Sequence, residues 1–299
     1  MYSNCNVCPR KCGANRDAGV RGICGQTNEI KIARAALHMW EEPCISGKRG
    51  SGTIFFSGCN LHCVFCQNYK IANSDVGHII SDEQLAEEML KLQELGANNI
   101  NLVTATHFVP SIIKAVESAR DQGMNLPIVY NTSSYENVDT IKMLEGIVDV
   151  YLPDLKYVSS ELSTKYSHAA DYFQVASEAI DEMVRQTRGV AFTAEAGNPK
   201  QEIMTRGTIV RHLVLPGCVE DSKLVLDYLL ATYGDEIFIS IMNQYTPLEQ
   251  VQVSCPELYR KVSTEEYSQV LDYAYDLGIE NGFIQEGDVA QESFIPEFE

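Results

Sequence analysis

Positive charge is scarce in this sequence: 23 Lys and Arg stand against 41 Asp and Glu, a formal charge of −18 at pH 7. Nucleic-acid binding needs clustered Lys and Arg to displace counterions, so that class of partner is excluded. An anionic membrane surface is excluded for the same reason. No apolar run approaches the roughly 18 residues of a transmembrane helix, and Met1-Tyr-Ser-Asn-Cys5 lacks the basic-then-apolar pattern of a signal segment. A cytoplasmic chain is therefore expected. Tryptophan is nearly missing, Trp40 standing alone, and it is expected to be a packing residue. Low-complexity segments and helical repeats are absent too. Cysteine is the exception to this poverty: there are ten, of which only Cys218 and Cys255 lie beyond residue 66. In a reducing compartment such thiols read as metal ligands or reactive groups rather than disulfides. The 299 residues suffice for one large domain or two of ordinary size.

The densest chemistry lies in Gly52-Thr-Ile-Phe-Phe-Ser-Gly-Cys59-Asn-Leu-His-Cys63-Val-Phe-Cys66-Gln-Asn68, where a short apolar run ends in glycine and opens into three cysteines. Iron–sulfur clusters are usually held by four thiolates, so a compact set of three suggests a cubane whose last iron is open to an outside ligand. A zinc knuckle or a ferredoxin-type carrier would use the same residue type. Structural zinc wants a nearby fourth Cys or His, however, and His62 sits between two of the proposed ligands. An electron-transfer protein would want a fourth cysteine close to Cys66, and none follows until Cys218.

Residues 1–48 form a Cys- and Gly-rich segment with little periodicity. Cys5, Cys8, Cys12 and Cys24 make a four-ligand set by count, fit for zinc or a second iron–sulfur cluster, and spacing does not choose between them. Cys44 either replaces one of the four or is an ordinary buried thiol.

From residue 49 strands and helices alternate. Thr53–Ser57 reads as a buried strand, and Ser81 with Gln84 forms a capping box before Leu85, Met89, Leu92 and Leu95, a run that stops at Gly96. Strands at 100–104, 127–130, 147–152, 207–215 and 236–241 follow, with helices at 110–123, 136–145, 170–187, 220–233 and 264–277 between and after them. Residues 282–285 suggest a short final strand, and the acidic tail is expected to fray. Short, nearly continuous apolar strands separated by helices specify a parallel sheet with right-handed crossovers, a partial (β/α)6 barrel of TIM type. The domain division is 1–48 for the Cys-rich segment and 49–299 for the barrel.

Active sites of parallel barrels lie at the C-terminal strand ends. The polar residues there are Thr104, Thr106 and His107; Asn131 and Thr132; Asp154 and Lys156; Arg211 and His212; and Asn243 with Gln244. Singly they have structural readings: His107 as a hydrogen-bonded core histidine, Asp154 with Lys156 as an ordinary ion pair. Together they suit a ligand with an amine, a carboxylate, ribose hydroxyls and an adenine.

Cys59-x3-Cys63-x2-Cys66, with Phe65 before the last cysteine, resembles the signature of the radical S-adenosylmethionine (SAM) enzymes. The stretch 49–285 looks like the glycyl-radical-enzyme activating enzymes, of the pyruvate formate-lyase activase type. It is most similar to an activase-like branch carrying Cys8-Pro-Arg-Lys-Cys12, Thr106-His-Phe-Val-Pro110, Tyr130-Asn-Thr132 and Met242-Asn-Gln-Tyr-Thr-Pro247. The resemblance implies a 4Fe-4S cluster on Cys59, Cys63 and Cys66, and reductive cleavage of SAM to a 5′-deoxyadenosyl radical that abstracts hydrogen. It implies adenine packing near Phe65, SAM contacts at Asn68 and Lys156, and a place for Asp154, Asn131 and Thr132 at a cation or the sulfonium. Arg211 matches an arginine near the SAM carboxylate and ribose, and Asn243 or Gln244 falls toward the adenosine. The implied substrate is a backbone glycine of a partner protein, a glycyl radical enzyme, with a peptide or small molecule as alternatives; the implied electron donor is a flavodoxin or ferredoxin. Two features depart from the pattern: Thr104-Ala-Thr106-His107 replaces the Gly-Gly-Glu that receives the SAM amine, and Asn131 replaces an aspartate.

Overall fold

The computed structural model describes residues 1–73 and 76–285. Its strands are β1 (Ile30–His38), β2 (Ser51–Phe56), β3 (His78–Ile80), β4 (Ile100–Val103), β5 (Ile128–Thr132), β6 (Val150–Pro153), β7 (Ala191–Glu195), β8 (Asn198–Leu213), β9 (Phe238–Met242) and β10 (Gly282–Ile284). They form one sheet in the order β10-β9-β8-β6-β5-β4-β2-β1-β3, with β7 folded back on β8. Every pairing from β2 through β10 along that path is parallel. The expected parallel α/β architecture is thus present, consistent with a partial TIM-type barrel, and 282–284 is its last strand. The acidic tail lies outside the described residues.

Helices Asp82–Glu94, Val109–Asp121, Tyr172–Thr187, Val219–Tyr233 and Thr264–Asp276 pack outside the sheet. The first starts where the sequence says it should: Ser81 Oγ accepts the Gln84 N–H at 3.2 Å and Gln84 Oε1 accepts the Ser81 N–H at 2.9 Å. Buried aliphatic residues of β2, β4 and β5 meet this helix and the next in one outer core, while the later strands and helices form a second. Gly52, on β2, sits where this packing is tightest: a Cβ there would lie 2.8 Å from the Asn99 carbonyl and 3.0 Å from the Ala97 Cβ. Gly52→Ala is expected to cost about 1–3 kcal/mol through overpacking, read as a lower midpoint in urea unfolding.

Three features differ from the sequence expectation. The sheet begins inside the Cys-rich segment, because β1 runs antiparallel beside β2, from Ile32↔Phe56 to His38↔Ser51. The strand expected at 207–215 is the end of a 16-residue strand whose first half forms a hairpin with β7. Trp40 is 60% exposed and is no core packing residue.

The chain between β1 and β2 enters the barrel. Cys44 and Ile45, on the short helix Pro43–Ser46, pack with Val129, Val150, Leu152, Met204 and Ile209 from β5, β6 and β8. Cys44 is thus a buried apolar plug residue, and burial pushes its thiol up to about 12.

Candidate radical SAM site

The three-cysteine loop leaves β2 through Gly58, whose φ of +88° belongs to the left-handed region. A Cβ at that position would stand 2.5 Å from the Cys24 carbonyl, so glycine is required both for the turn and for the approach of the N-terminal segment. The loop is held from several elements: Asn60 Nδ2 donates to the Tyr135 carbonyl at 2.7 Å, Val64 N–H to Tyr166 at 2.8 Å, and Gln67 Nε2 to Gln244 at 2.7 Å.

The sulfurs already have donors. The Leu61 N–H lies 3.3 Å from Cys59 Sγ, Ser167 Oγ lies 3.0 Å from Cys63 Sγ, and the Asn68 N–H hydrogen-bonds Cys66. Burial, and then the neighbouring sulfurs, push Cys66 up to about 12; burial pushes Cys63 up to about 11 against the pull of the Lys156 ammonium. Neighbouring thiols that cannot all ionise alone, fed by N–H and O–H donors, are a soft donor set that cationic iron would satisfy, so these residues fit an iron–sulfur cluster. Among the described residues no three His, Cys, Asp or Glu side chains close on a single metal ion, so the fit of these sulfurs is to a cluster, whose irons are each held by one thiolate. No disulfide competes for any of the ten thiols.

Behind the loop lies a buried polar network. Arg211 donates to Asp154 Oδ1 at 2.9 Å, to Asn131 Oδ1 at 2.6 Å and to Glu41 Oε2 at 3.2 Å. Lys156 Nζ contacts Asp154 Oδ2 at 2.6 Å. Tyr172 accepts the Lys156 N–H at 3.0 Å and donates to carbonyls of Ser133 and Asp154, joining two strand ends. Burial works to raise the Asp154 carboxyl, but Arg211 and Lys156 outweigh it and hold it below the ordinary range. Burial likewise pulls Lys156 down, and Asp154 and then Cys63 outweigh it, so the ammonium stays charged. Asn131, Asp154, Lys156 and Arg211 are thus brought together as one constellation.

Thr106, Thr132 and His107 face elsewhere. Both threonine hydroxyls donate to Glu136 Oε1 at 2.6 Å, joined by Tyr130 at 3.1 Å, and burial lifts the Glu136 carboxyl to about 7. The period-two alternation of β5 explains the split: Asn131 points inward, whereas Tyr130 and Thr132 point into the layer behind. One ring nitrogen of His107 meets the Ser57 carbonyl at 2.8 Å, while its backbone carbonyl accepts from Tyr2 and Arg16. Burial lowers its pKa to about 3, so the ring stays neutral. Thr104 holds φ +59° and donates its N–H to the Asn131 carbonyl at 3.0 Å. A β-branched residue there carries about 1–3 kcal/mol of strain. Phe65 is buried against Tyr245, with centroids 6.2 Å apart. Asn68 stands at the N-cap position of the turn Tyr69–Ala72 with no side-chain capping hydrogen bond. The Asn243 N–H donates to Gln285, and Gln244 Oε1 accepts from Gln285 Nε2 at 3.3 Å.

Glu41 escaped the sequence reading. It rises with the plug to accept from Asn101 Nδ2 at 3.1 Å and Asn131 Nδ2 at 3.4 Å as well as from Arg211. The only available signal was a pair of acids, Glu41-Glu42, in front of an apolar Pro-initiated turn. His212, next to Arg211, is fully used: one ring nitrogen faces the Leu155 carbonyl at 2.8 Å and the other Ser222 Oγ at 2.9 Å. Burial lowers its pKa to about 4. A histidine whose folded pKa lies below its unfolded value stabilises fully above about pH 6.5, and that contribution is lost as pH falls toward 4. His212→Gln should therefore flatten the acid limb of stability against pH by about 1.4 kcal/mol per pH unit between those values, measured by urea unfolding at several pH values.

The family comparison bears on the middle of the chain. Residues 53–194 match the radical SAM superfamily. The matched span opens on β2 and contains the three-cysteine loop, Asn131, Asp154 and Lys156. An uncharacterized protein of Methanocaldococcus jannaschii, MJ0674, is 27% identical over 281 residues, covering 92% of this chain and 75% of its own length. Among solved structures, methylornithine synthase (PylB) superposes with a TM-score of 0.52 at 13% identity, over 81% of this chain and 74% of that one. HydG, a maturase of the FeFe-hydrogenase, superposes with a TM-score of 0.50 at 13% identity, over 76% of this chain and 49% of its own. The chain thus spans about half of HydG. These structures share their α/β fold with this chain. No described helix is long and apolar enough to cross a membrane.

Proposed function

We propose that this protein is a radical SAM enzyme that cleaves SAM reductively and passes the resulting 5′-deoxyadenosyl radical's demand for hydrogen to a glycine of a partner polypeptide. The observation that carries the reading is the Cys59, Cys63 and Cys66 loop at the C-terminal end of the first parallel strand, within the stretch matching the superfamily. Cys59, Cys63 and Cys66 would hold the 4Fe-4S cluster, which, when bound, supplies the single electron for C5′–S cleavage.

The chain's own residues bind, orient and exclude water. Arg211 is fixed by Asp154, Asn131 and Glu41, so its guanidinium is set in advance for a carboxylate. Lys156 remains charged beside the loop, where it balances thiolate charge and is available to an anionic or hydroxyl group of SAM. Glu41 and Asp154 are balanced by Arg211 and Lys156, so the barrel floor is a compensated set of charges that holds Arg211 and Lys156 in place. No side chain is required as a general base.

The glycine target is supported by the likeness of the motifs to activating enzymes. The anaerobically reconstituted protein, given dithionite and SAM, should release 5′-deoxyadenosine; an intact cluster with no product would overturn the reading. A glycyl-radical EPR doublet on a co-expressed partner would identify the target class, and product formed only with a small metabolite would replace it. A flavodoxin or ferredoxin is the proposed physiological donor.

A further inference from the structure

Residues 1–29 contain two three-residue 3-10 turns and no strand or longer helix, yet they fold around sulfur. Cys5, Cys8 and Cys24 are buried. The Sγ atoms of Cys12 and Cys24 lie 3.3 and 3.5 Å from a single point beside Gly22, and the Cys5 thiol hydrogen-bonds Cys12. Tight turns deliver them: the Lys11 N–H bonds the Cys8 carbonyl at 3.0 Å, the Gly13 N–H the Cys5 carbonyl at 3.0 Å, and the Gly25 N–H the Gly22 carbonyl at 2.9 Å. Backbone N–H groups of Ala14 and Ile23 are directed at Cys12. Apart from the cysteines, Val7 is the one buried apolar side chain of residues 1–29, which otherwise hold to the barrel by polar contacts such as Arg16 to the His107 carbonyl, so a metal on the thiols would be the segment's staple. No disulfide supplies one.

Where the staple sits indicates its use. The Cys24 carbonyl packs on Gly58, the residue before Cys59. His62, inside the three-cysteine loop, meets the Ile23 carbonyl at 3.0 Å. Arg10 donates to the Asn60 carbonyl at 2.8 Å. Arg16, fully buried, donates to Cys5 Sγ at 3.7 Å and to the His107 carbonyl at 2.8 Å, its guanidinium 4.4 Å above the Tyr2 ring. The segment that carries the four thiols thus lies directly on the loop that carries Cys59, Cys63 and Cys66. Cys12, half-buried, opens the other side of the cluster to solvent.

We infer that Cys5, Cys8, Cys12 and Cys24 ligate a second, redox-active iron–sulfur cluster that relays electrons to the centre held by Cys59, Cys63 and Cys66. One electron from a low-potential one-electron donor reduces the N-terminal cluster; the same electron passes inward, reoxidising it and reducing the loop centre. The relay rests on the proposed role of the loop as an electron acceptor, whereas the ligand set stands on residues 1–29 alone.

The full chain is reconstituted anaerobically with ferrous iron and sulfide, as wild type and as the triple variant Cys59→Ala, Cys63→Ala, Cys66→Ala. The triple variant should keep about half the wild-type iron, in a cluster that dithionite bleaches and turns EPR-active. Retention of zinc without iron, or loss of all iron with unchanged circular dichroism, would overturn the assignment. In the variant Cys5→Ser, Cys24→Ser the loop cluster should lose its fast phase of reduction by a protein-sized donor, and reduction at the wild-type rate would overturn the relay. If wild type binds iron only at the N-terminus, the proposed function fails while the ligand assignment stands, so the two failures are distinguishable. Should the double variant unfold, the single variant Cys12→Ser, at the half-buried ligand, takes its place in the reduction test, with the same two outcomes.

Discussion

Cys63→Ala should abolish 5′-deoxyadenosine formation and strip the loop of its iron, leaving activity at background. The reason lies in ligand count. Three thiolates are the minimum that leaves one iron open for SAM, and no other cysteine stands within the loop to replace one. Cys63 is the most constrained of the three, held by Ser167 at 3.0 Å and facing Lys156. Metal binding must overcome the raised thiol pKa, and iron lost with one ligand no longer draws the protons from the other two. Iron content and product are measured together on the reconstituted protein. Turnover persisting in the alanine variant would show that another residue completes the site. Ser167→Ala is a milder version: loss of an outer hydrogen bond to a ligand typically costs about 10–100-fold in affinity or activity, with the fold intact.

Arg211→Ala should lower unfolding free energy by about 3–5 kcal/mol, the cost of breaking a buried charge pair by removing one partner. Its guanidinium serves Asp154, Asn131 and Glu41 at once, and its removal leaves Asp154 to Lys156 and Glu41 to the neutral amides of Asn101 and Asn131. The pH dependence changes sign. In the native protein Asp154 sits below its unfolded pKa, so it stabilises above that value and the contribution is lost as pH falls. Burial already raises Glu41 above the ordinary glutamate value while Arg211 pulls it down; without the arginine it rises further. A carboxyl raised on folding destabilises above its unfolded pKa, so the variant should regain stability on acidification toward pH 5. Urea midpoints at pH 7.5 and 5 check both the size and the sign, and a variant as stable as the native chain at pH 7.5 would contradict the network. Arg211→Lys should not restore it, because one ammonium cannot bond three acceptors in a plane.

Much of the barrel was legible because its signals are local. The Ser81–Gln84 box, the glycine at 96 and the Pro at the start of helix Val109–Asp121 act within one helical turn, and nearly continuous apolar strands announce burial on both faces. Edges were less legible. The helix expected over 136–145 is Val138–Lys142, and Ser160–Ser167, which carries the hydroxyl on Cys63, was not anticipated at all. β1 was missed because its pairing partner lies well along the chain, Phe56 for Ile32, and the β7–β8 hairpin because its strands are largely exposed near the turn and carry no apolar alternation.

The sequence by itself determined the chemistry of the thiolates and the succession of strands, since a Cys-x3-Cys-x2-Cys loop and the alternation of apolar runs with capped helices are written in neighbouring residues. It also named Asn131, Asp154, Lys156 and Arg211. Only the tertiary structure decided which polar strand ends share a face, because one residue of register sends Asn131 into the barrel and Thr132 out to Glu136. It alone brought Glu41 up beneath Arg211 and laid Cys24 against Gly58, contacts across 170 and 34 positions that no local pattern encodes.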